Sequence, residues 1–366
     1  MLPRERVQTA LEHREPDRVP LDEPCGSFRM DTWKQLEHRF GGADHEAIKD
    51  QLGIDFRTIG LGPSKEFMKE AKTVFPVGLL KPLANGFLAD EWGIQYEIVS
   101  TGTHTRYAKH PLEDADDLSD FEPPDLDAPG RWDNVESRIK KWKRNYFVVA
   151  AAMWTTLFEI SWALRGFGRF IKDLYSDSRF ADSLLDRLLE YRLETGKRFT
   201  DLGVDMVHLG DDFGTQKNLL LSLDVWRRHF KPRMKTLIES LRNRGDVYIM
   251  YHSDGNIEKL IPELIEIGVE VLNPIQPECM DPAVIKDRYG EKLTLHGTIS
   301  IQRTLPFGTK QDVRTEAITR IKTCGPGGGL VLAPSHAPQP DVPVENIITL
   351  YETAKNTPYS SLASLQ

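Results

Sequence analysis

From about residue 140 onward, short runs of β-branched and aliphatic residues alternate with longer amphipathic stretches, and each run stops at Gly, Pro or a polar cluster. A chain patterned this way makes βα units, whose strands lie parallel and are buried on both faces by their crossover helices. Six runs are expected as strands: residues 146–152, 204–209, 247–251, 269–273, 292–296 and 330–333. From Val204 the successive starts are 43, 22, 23 and 38 residues apart, enough for one strand and one helix per unit with some longer loops. This spacing favours a closed (β/α)8 TIM-type barrel over an open doubly wound sheet. A nucleotide-binding open sheet would place a glycine loop after a strand and before a helix, whereas Gly325-Pro326-Gly327-Gly328-Gly329 precedes a strand and suits a helix-to-strand turn. In SLDVWRRHFKPRMKTLIESLRNRG, Trp226, Phe230, Met234, Leu237 and Leu241 recur at three- and four-residue steps. That predicts one helix, capped by Ser222, ending near Gly245 and bent at Pro232.

The first 140 residues resist this reading, because Pro, Gly and acidic residues interrupt the periodicity. The acidic run within residues 112–127 lacks the glycine and closing Glu of a calcium loop, so it is expected to be a solvated surface loop. No repeat or linker divides the chain. The expectation is one α/β domain over 1–366, a distorted barrel with an N-terminal elaboration and first strands over about 1–140 and regular βα units over about 141–355.

The balance of 47 Lys+Arg against 55 Asp+Glu gives a formal charge of −8, and no basic stripe interrupts it, so nucleic acid is an unsuitable partner. Three scattered cysteines imply no disulfide framework and a reducing compartment. The opening residues lack the apolar stretch and cleavage site of a signal peptide, and the longest mostly apolar stretch, residues 147–158, is too short for a membrane span. A cytoplasmic location is expected.

In a parallel barrel the active site lies at the C-terminal strand ends, so the polar residue beyond each apolar run is the one to interrogate. These are Asp211 and Asp212, then His252, Ser253 and Asp254, then Glu278 and Cys279, then Ser300, and finally His336. His252, Cys279 and His336 offer the three N and S donors of a catalytic zinc site with one open position, with Glu278 or Asp254 as substitutes. The competing reading makes Cys279 a small buried hydrophobe and the histidines loop hydrogen-bonders. Asp211, Asp212 and His336 are the candidate acid–base groups, although the aspartates could equally cap the next helix. Glu159, Trp154, Phe158 and Phe213 are candidates to line the substrate pocket. His208 and His296 lie within strands and are expected to be satisfied core histidines.

The opening RERVQTALEHREPDRVP resembles that of the uroporphyrinogen decarboxylase superfamily. The likeness continues through YHSDGNIEKLIPELIEIGVEVLNPIQPECMDPAVIKDRYGEKLTLHGTIS, TLPFGT and GPGGGLVLAPSHAPQPDVPVENIITLYE, and is strongest toward the methyltransferase-like members. It implies a single distorted barrel. Porphyrinogen decarboxylases follow the RVP segment with Met-Arg-Gln-Ala-Gly-Arg, which grips substrate carboxylates. Here the stretch is LDEPCGSFRMDTW, acidic and with Arg29 alone, so a polyanionic tetrapyrrole is not the implied substrate.

The other branch carries a His-x-Cys metal motif and a distant Cys after a Pro-Gly. The matching positions here are His252, Asp254 and His336, which keeps one ligand type of three and leaves Cys279 or Glu278 to supply the missing donor. The resemblance implies a zinc-assisted methyltransferase that takes a methyl group from a small O-methylated compound, such as an aryl methyl ether, and passes it to cobalt. The chain has no Asp-x-His-x-x-Gly corrinoid signature, so the corrinoid is expected on a separate partner protein. The alternative is a metal-free decarboxylase or lyase in which His336 and an Asp handle protons.

Overall fold

The computed structural model describes residues 1–24, 27–71, 73–75, 78–99, 105–153, 155–176 and 179–364. Seven strands form one parallel sheet in the order Phe56–Ile59, Phe147–Met153, Met206–Gly210, Tyr248–His252, Val271–Asn273, Thr294–His296 and Leu330–Val331. Residues 20–22 bridge its two edges. Leu332 N donates to Pro20 O (2.9 Å) and Asp22 N to Leu332 O (3.2 Å), while Asp55 N, just ahead of the first strand, donates to Leu21 O (2.8 Å). The sheet therefore curls into the distorted barrel that the strand spacing predicts, and the last six strands fall within two residues of their expected bounds.

Both faces of these strands are buried, but they differ in kind. Val207, Leu209, Ile249, Tyr251, Leu272 and Leu295 point outward into the large core shared with the surrounding helices. The alternate residues Met206, Met250 and Val271 point inward with Phe56, Phe147 and Val331, where Val7 and Leu11 of the helix Pro3–Leu11 pack among them. Continuing this period of two toward the C-terminal ends brings Gly210, His252, Asn273 and His296 into one inward layer, in register across four neighbouring strands. Apolar residues thus fill the lower barrel, and polar ones crowd its mouth.

Residues 20–22 are held by ion pairs. Asp55, fully buried, takes Arg6 at 2.6 Å and Arg18 at 2.9 Å, and its Oδ2 accepts from Leu21 N (2.9 Å). A carboxylate without exposure needs such partners, since a buried unpaired charge costs several kcal/mol.

Two expectations need adjustment. The stretch after Ser222 is not one bent helix but two, Leu223–His229 and Lys231–Arg242. Ser222 caps the first as expected, accepting from Val225 N, while Pro232 sits in the first turn of the second, where its missing N–H costs nothing. The N-terminal elaboration contains a five-stranded antiparallel sheet, Thr73–Phe75, Gly78–Pro82, Leu88–Ala89, Gln95–Ile98 and Thr105–Lys109, inserted between the first two barrel strands. Its strands are two to five residues long, too short to show a period in the sequence. It reaches the barrel's helical layer through Tyr107, whose ring lies edge-on to Trp162 with centroids 4.9 Å apart. No helix among the described residues is long and apolar enough to cross a membrane.

Candidate active site

Two loops at the C-terminal strand ends build the site. Residues 211–215 follow the strand Met206–Gly210, residues 253–256 follow Tyr248–His252, and the two are pinned together. Asp254 N donates to Asp212 Oδ1 (2.7 Å), Phe213 N to Ser253 Oγ (3.0 Å) and Asn256 N to Thr215 O (2.7 Å). A Cβ on Gly214 would lie 2.3 Å from Asp254 O, and one on Gly255, where φ is +84°, would lie 2.6 Å from Thr215 O. Only glycine lets the backbones approach this closely. As a result, Asp212, His252 and Asp254 each offer a ligand atom within 4.8 Å of the others.

His252 is 5% exposed, with Nδ1 2.6 Å from Asn273 Oδ1 and Nε2 3.7 Å from Asp212 Oδ1. Its Nδ1 is engaged by the neighbouring strand and its Nε2 faces the Asp212 carboxylate, on the side of the group that Asp254 completes. Such an outer-shell bond orients a histidine for a metal ion.

Two further acids press on this set. Asp211 is fully buried and accepts from Leu157 N and Glu159 N, each at 2.9 Å, so it caps the helix Phe158–Arg165 from a neighbouring strand end. Burial pushes its carboxyl up to about 7, against the pull of those amides. Glu159 Oε2 accepts from Asp212 N at 3.3 Å. Burial first, then the charges of Asp212 and Asp211, push Glu159 up to about 8. Asp254 also moves up, chiefly through burial, with His252 and His336 pulling the other way. Crowded carboxyl groups in a poorly solvated mouth retain protons rather than accumulate charge. Tyr107 of the inserted sheet hangs over this corner, its phenol raised to about 12 by burial and by the charge of Glu159.

The structure gathers part of the donor set expected from the sequence. Of His252, Cys279 and His336, only His252 belongs to the gathered group, which is completed by Asp212 and by the substitute Asp254. Cys279 sits in a turn, its N–H on Gln276 O and its carbonyl held by Asn256 Nδ2 (2.9 Å), which aims Sγ at Gln216 Oε1, 3.4 Å away. Burial and the charges of Glu278 and Asp254 raise that thiol, so it keeps its proton. His336 stands at the rim, partly exposed, with Nε2 3.7 Å from Asp254 Oδ2. Glu278 accepts from Ser300 Oγ and lines a separate cavity of about 350 Å³ with Arg303, Glu316 and Arg320. Phe158 and Phe213 stack on each other with centroids 4.8 Å apart and are 1% and 2% exposed, so they floor the site as packed core. Trp154 lies outside the described residues.

His296, expected as a satisfied core residue, is hydrogen-bonded at both nitrogens. His208 is 2% exposed, and neither of its nitrogens has a partner among the described residues. Asn273 and Asp22, which the strand-end reading did not single out, link His296 to His252 and to the edge of the barrel.

The family model described as uroporphyrinogen decarboxylase matches residues 87–357. Among solved structures, a methyltransferase from Methanosarcina mazei aligns with a TM-score of 0.70 at 19% identity, covering 97% of this chain and 98% of that one, a likeness of fold. A putative vitamin-B12 independent methionine synthase from Listeria monocytogenes aligns at a TM-score of 0.43 and 10% identity, covering 93% and 96%. Comparison with curated proteins finds no match.

Proposed function

The chain belongs to the uroporphyrinogen decarboxylase family, and from that premise we propose that it is a methyltransferase which removes a methyl group from a small O-methylated compound and delivers it to a separate corrinoid protein. The observation that carries this reading is the triad Asp212, His252 and Asp254, three potential ligand atoms within 4.8 Å at the barrel mouth. Two carboxylate oxygens and one imidazole nitrogen, with a further position open, suit zinc, although this oxygen-rich set would also accept manganese or iron. When bound, such an ion polarises the ether oxygen as a Lewis acid. The whole-length likeness in fold to a methyltransferase supports the same assignment.

The chain's own residues supply the rest. Glu159, whose carboxyl is raised to about 8 in the metal-free site, holds a proton there at neutral pH and is placed to donate it to the oxygen left behind when the methyl group departs. Asp211 fixes the start of the helix that carries Glu159, so it positions the acid rather than touching substrate. The segment in which porphyrinogen decarboxylases carry arginines here places Asp22 and Glu23, both buried, with Lys49 2.7 Å from Glu23 and Arg29 turned to Asp31. Among the described residues of that segment the one arginine stands against a carboxylate, a poor grip for a polyanionic substrate.

The test combines metal analysis with turnover. Protein purified without chelator should carry about one equivalent of a transition metal by elemental analysis. With a panel of methoxylated aromatics it should release free phenol only when a reduced corrinoid protein is added, with methyl-cobalt forming in step. Carbon dioxide release from an aromatic acid by metal-free protein, without methyl transfer, would replace this reading with a decarboxylase.

A further inference from the structure

Four side chains form one hydrogen-bonded line through the barrel interior. Asp22 Oδ2 lies 3.0 Å from His296 Nε2, His296 Nδ1 lies 2.6 Å from Asn273 Nδ2, and Asn273 Oδ1 lies 2.6 Å from His252 Nδ1. Three of them occupy the same inward layer on consecutive strands, and all four are 5% exposed or less. Asp22 is anchored in turn: its Oδ1 accepts from Glu23 N (2.7 Å) and its backbone carbonyl from Tyr351 Oη (2.8 Å). We propose that Asp22 and His296 are positioning residues which act through Asn273 to hold His252 in its Nδ1–H tautomer, leaving the Nε2 lone pair aimed at Asp212 and Asp254.

The direction follows from donor and acceptor chemistry. A carboxylate only accepts, so it takes the proton of His296 Nε2, and a neutral His296 then presents a bare Nδ1. That nitrogen must receive from the Asn273 amide, which turns Asn273 Oδ1 toward His252. The oxygen in turn requires a proton on His252 Nδ1, and Nε2 is left bare. Reversing the amide would set two acceptors against each other at 3.0 Å between His296 and Asp22, both buried from bulk solvent, unless His296 became charged. His208 lies in the same interior, its ring centroid 5.9 Å from that of His252, and neither of its nitrogens has a hydrogen-bond partner among the described residues.

The value of this tautomer for catalysis rests on the metal reading above; the tautomer itself does not. Long-range proton–nitrogen correlation spectra of metal-free, 15N-histidine-labelled protein, with His252 assigned by the signal lost in His252→Gln, read it directly. In the wild type, His252 should show a protonated Nδ1 and a bare Nε2. Asp22→Asn keeps an acceptor for Glu23 N but turns a donor toward His296. The line then inverts and His252 should become protonated at Nε2. Asn273→Asp added to Asp22→Asn restores an acceptor opposite His252 and should return its proton to Nδ1. An unchanged His252 in a folded Asp22→Asn protein, or a doubly protonated His296 in the wild type, overturns the proposal. Zinc affinity separates the two readings: inversion should weaken it about 10–100-fold. Inversion with unaltered affinity would leave the relay standing and remove His252 from the ligand set.

Discussion

Replacing Glu159 by Gln reads the electrostatics of the site without touching its shape, since the amide keeps an oxygen for Asp212 N. An ordinary Glu ionises near 4.5, and here the folded carboxyl is raised to about 8, first by burial and then by Asp212 and Asp211. Between those values the native state holds a proton that the unfolded chain has released, so stability falls as pH rises through the window; below it both states are protonated and nothing is lost. At about 1.4 kcal/mol per pH unit the full shift corresponds to about 5 kcal/mol, and relaxation of the site around the ionised carboxyl reduces the expected effect to about 2–4 kcal/mol. The amide cannot ionise and escapes this loss. Urea unfolding of chelator-treated protein should therefore show wild type and Glu159→Gln within about 1 kcal/mol at about pH 5, and the variant ahead by about 2–4 kcal/mol at about pH 8.5. Adding zinc at the higher pH should narrow the gap, because a cation beside the cluster favours the ionised carboxyl. Parallel stability curves for the two proteins would show that the acid is not held protonated, and would remove it as a proton donor.

Three further substitutions bear on the site and its frame. Asp254→Ala should lose most bound metal while Cys279→Ala retains it; metal retained by the first and lost by the second, measured by elemental analysis, would return the thiolate to the ligand set. Gly214→Ala drives a methyl group into Asp254 O and should part the two loops, costing about 1–3 kcal/mol in urea unfolding and at least about tenfold in metal affinity. Unaltered affinity would mean that the loops meet for some other reason. Asp55→Ala removes the carboxylate shared by Arg6 and Arg18 and the acceptor of Leu21 N, leaving Arg6 paired with Asp17 and Arg18 on backbone carbonyls, and should cost about 2–4 kcal/mol; a loss under about 1 kcal/mol would show that residues 20–22 are held by backbone pairing alone.

The sequence showed the barrel because its strands are buried on two sides, and such strands leave continuous apolar runs bounded by turn residues. The same property concealed part of the site. In VHLG, YIMYH, VLN and TLH the inward residues are every second one; they include His208 one layer down and His252, Asn273 and His296 at the mouth. A reading that looks beyond the end of each run finds Asp212 and Asp254 but passes over Asn273, and takes His296 only as a core residue, because both lie inside a run. Applied strictly, the period of two would have placed all of them on one surface. Ligand choice is a different matter, because it depends on contacts between loops whose shape no period describes. Asp212 is followed two residues on by Gly214, and Asp254 directly by Gly255; those glycines permit the backbone crossing that unites the carboxylates. Cys279 is an equally plausible ligand by residue type, and only the turn at Gln276 and the grip of Asn256 on its carbonyl decide that its sulfur points elsewhere. Position 254, which the resemblance matches to the metal-motif cysteine, is an aspartate whose backbone N–H donates to Asp212 Oδ1 at 2.7 Å; in the proposed ligand set the two carboxylates would keep the negative charge that thiolates carry while offering harder donors.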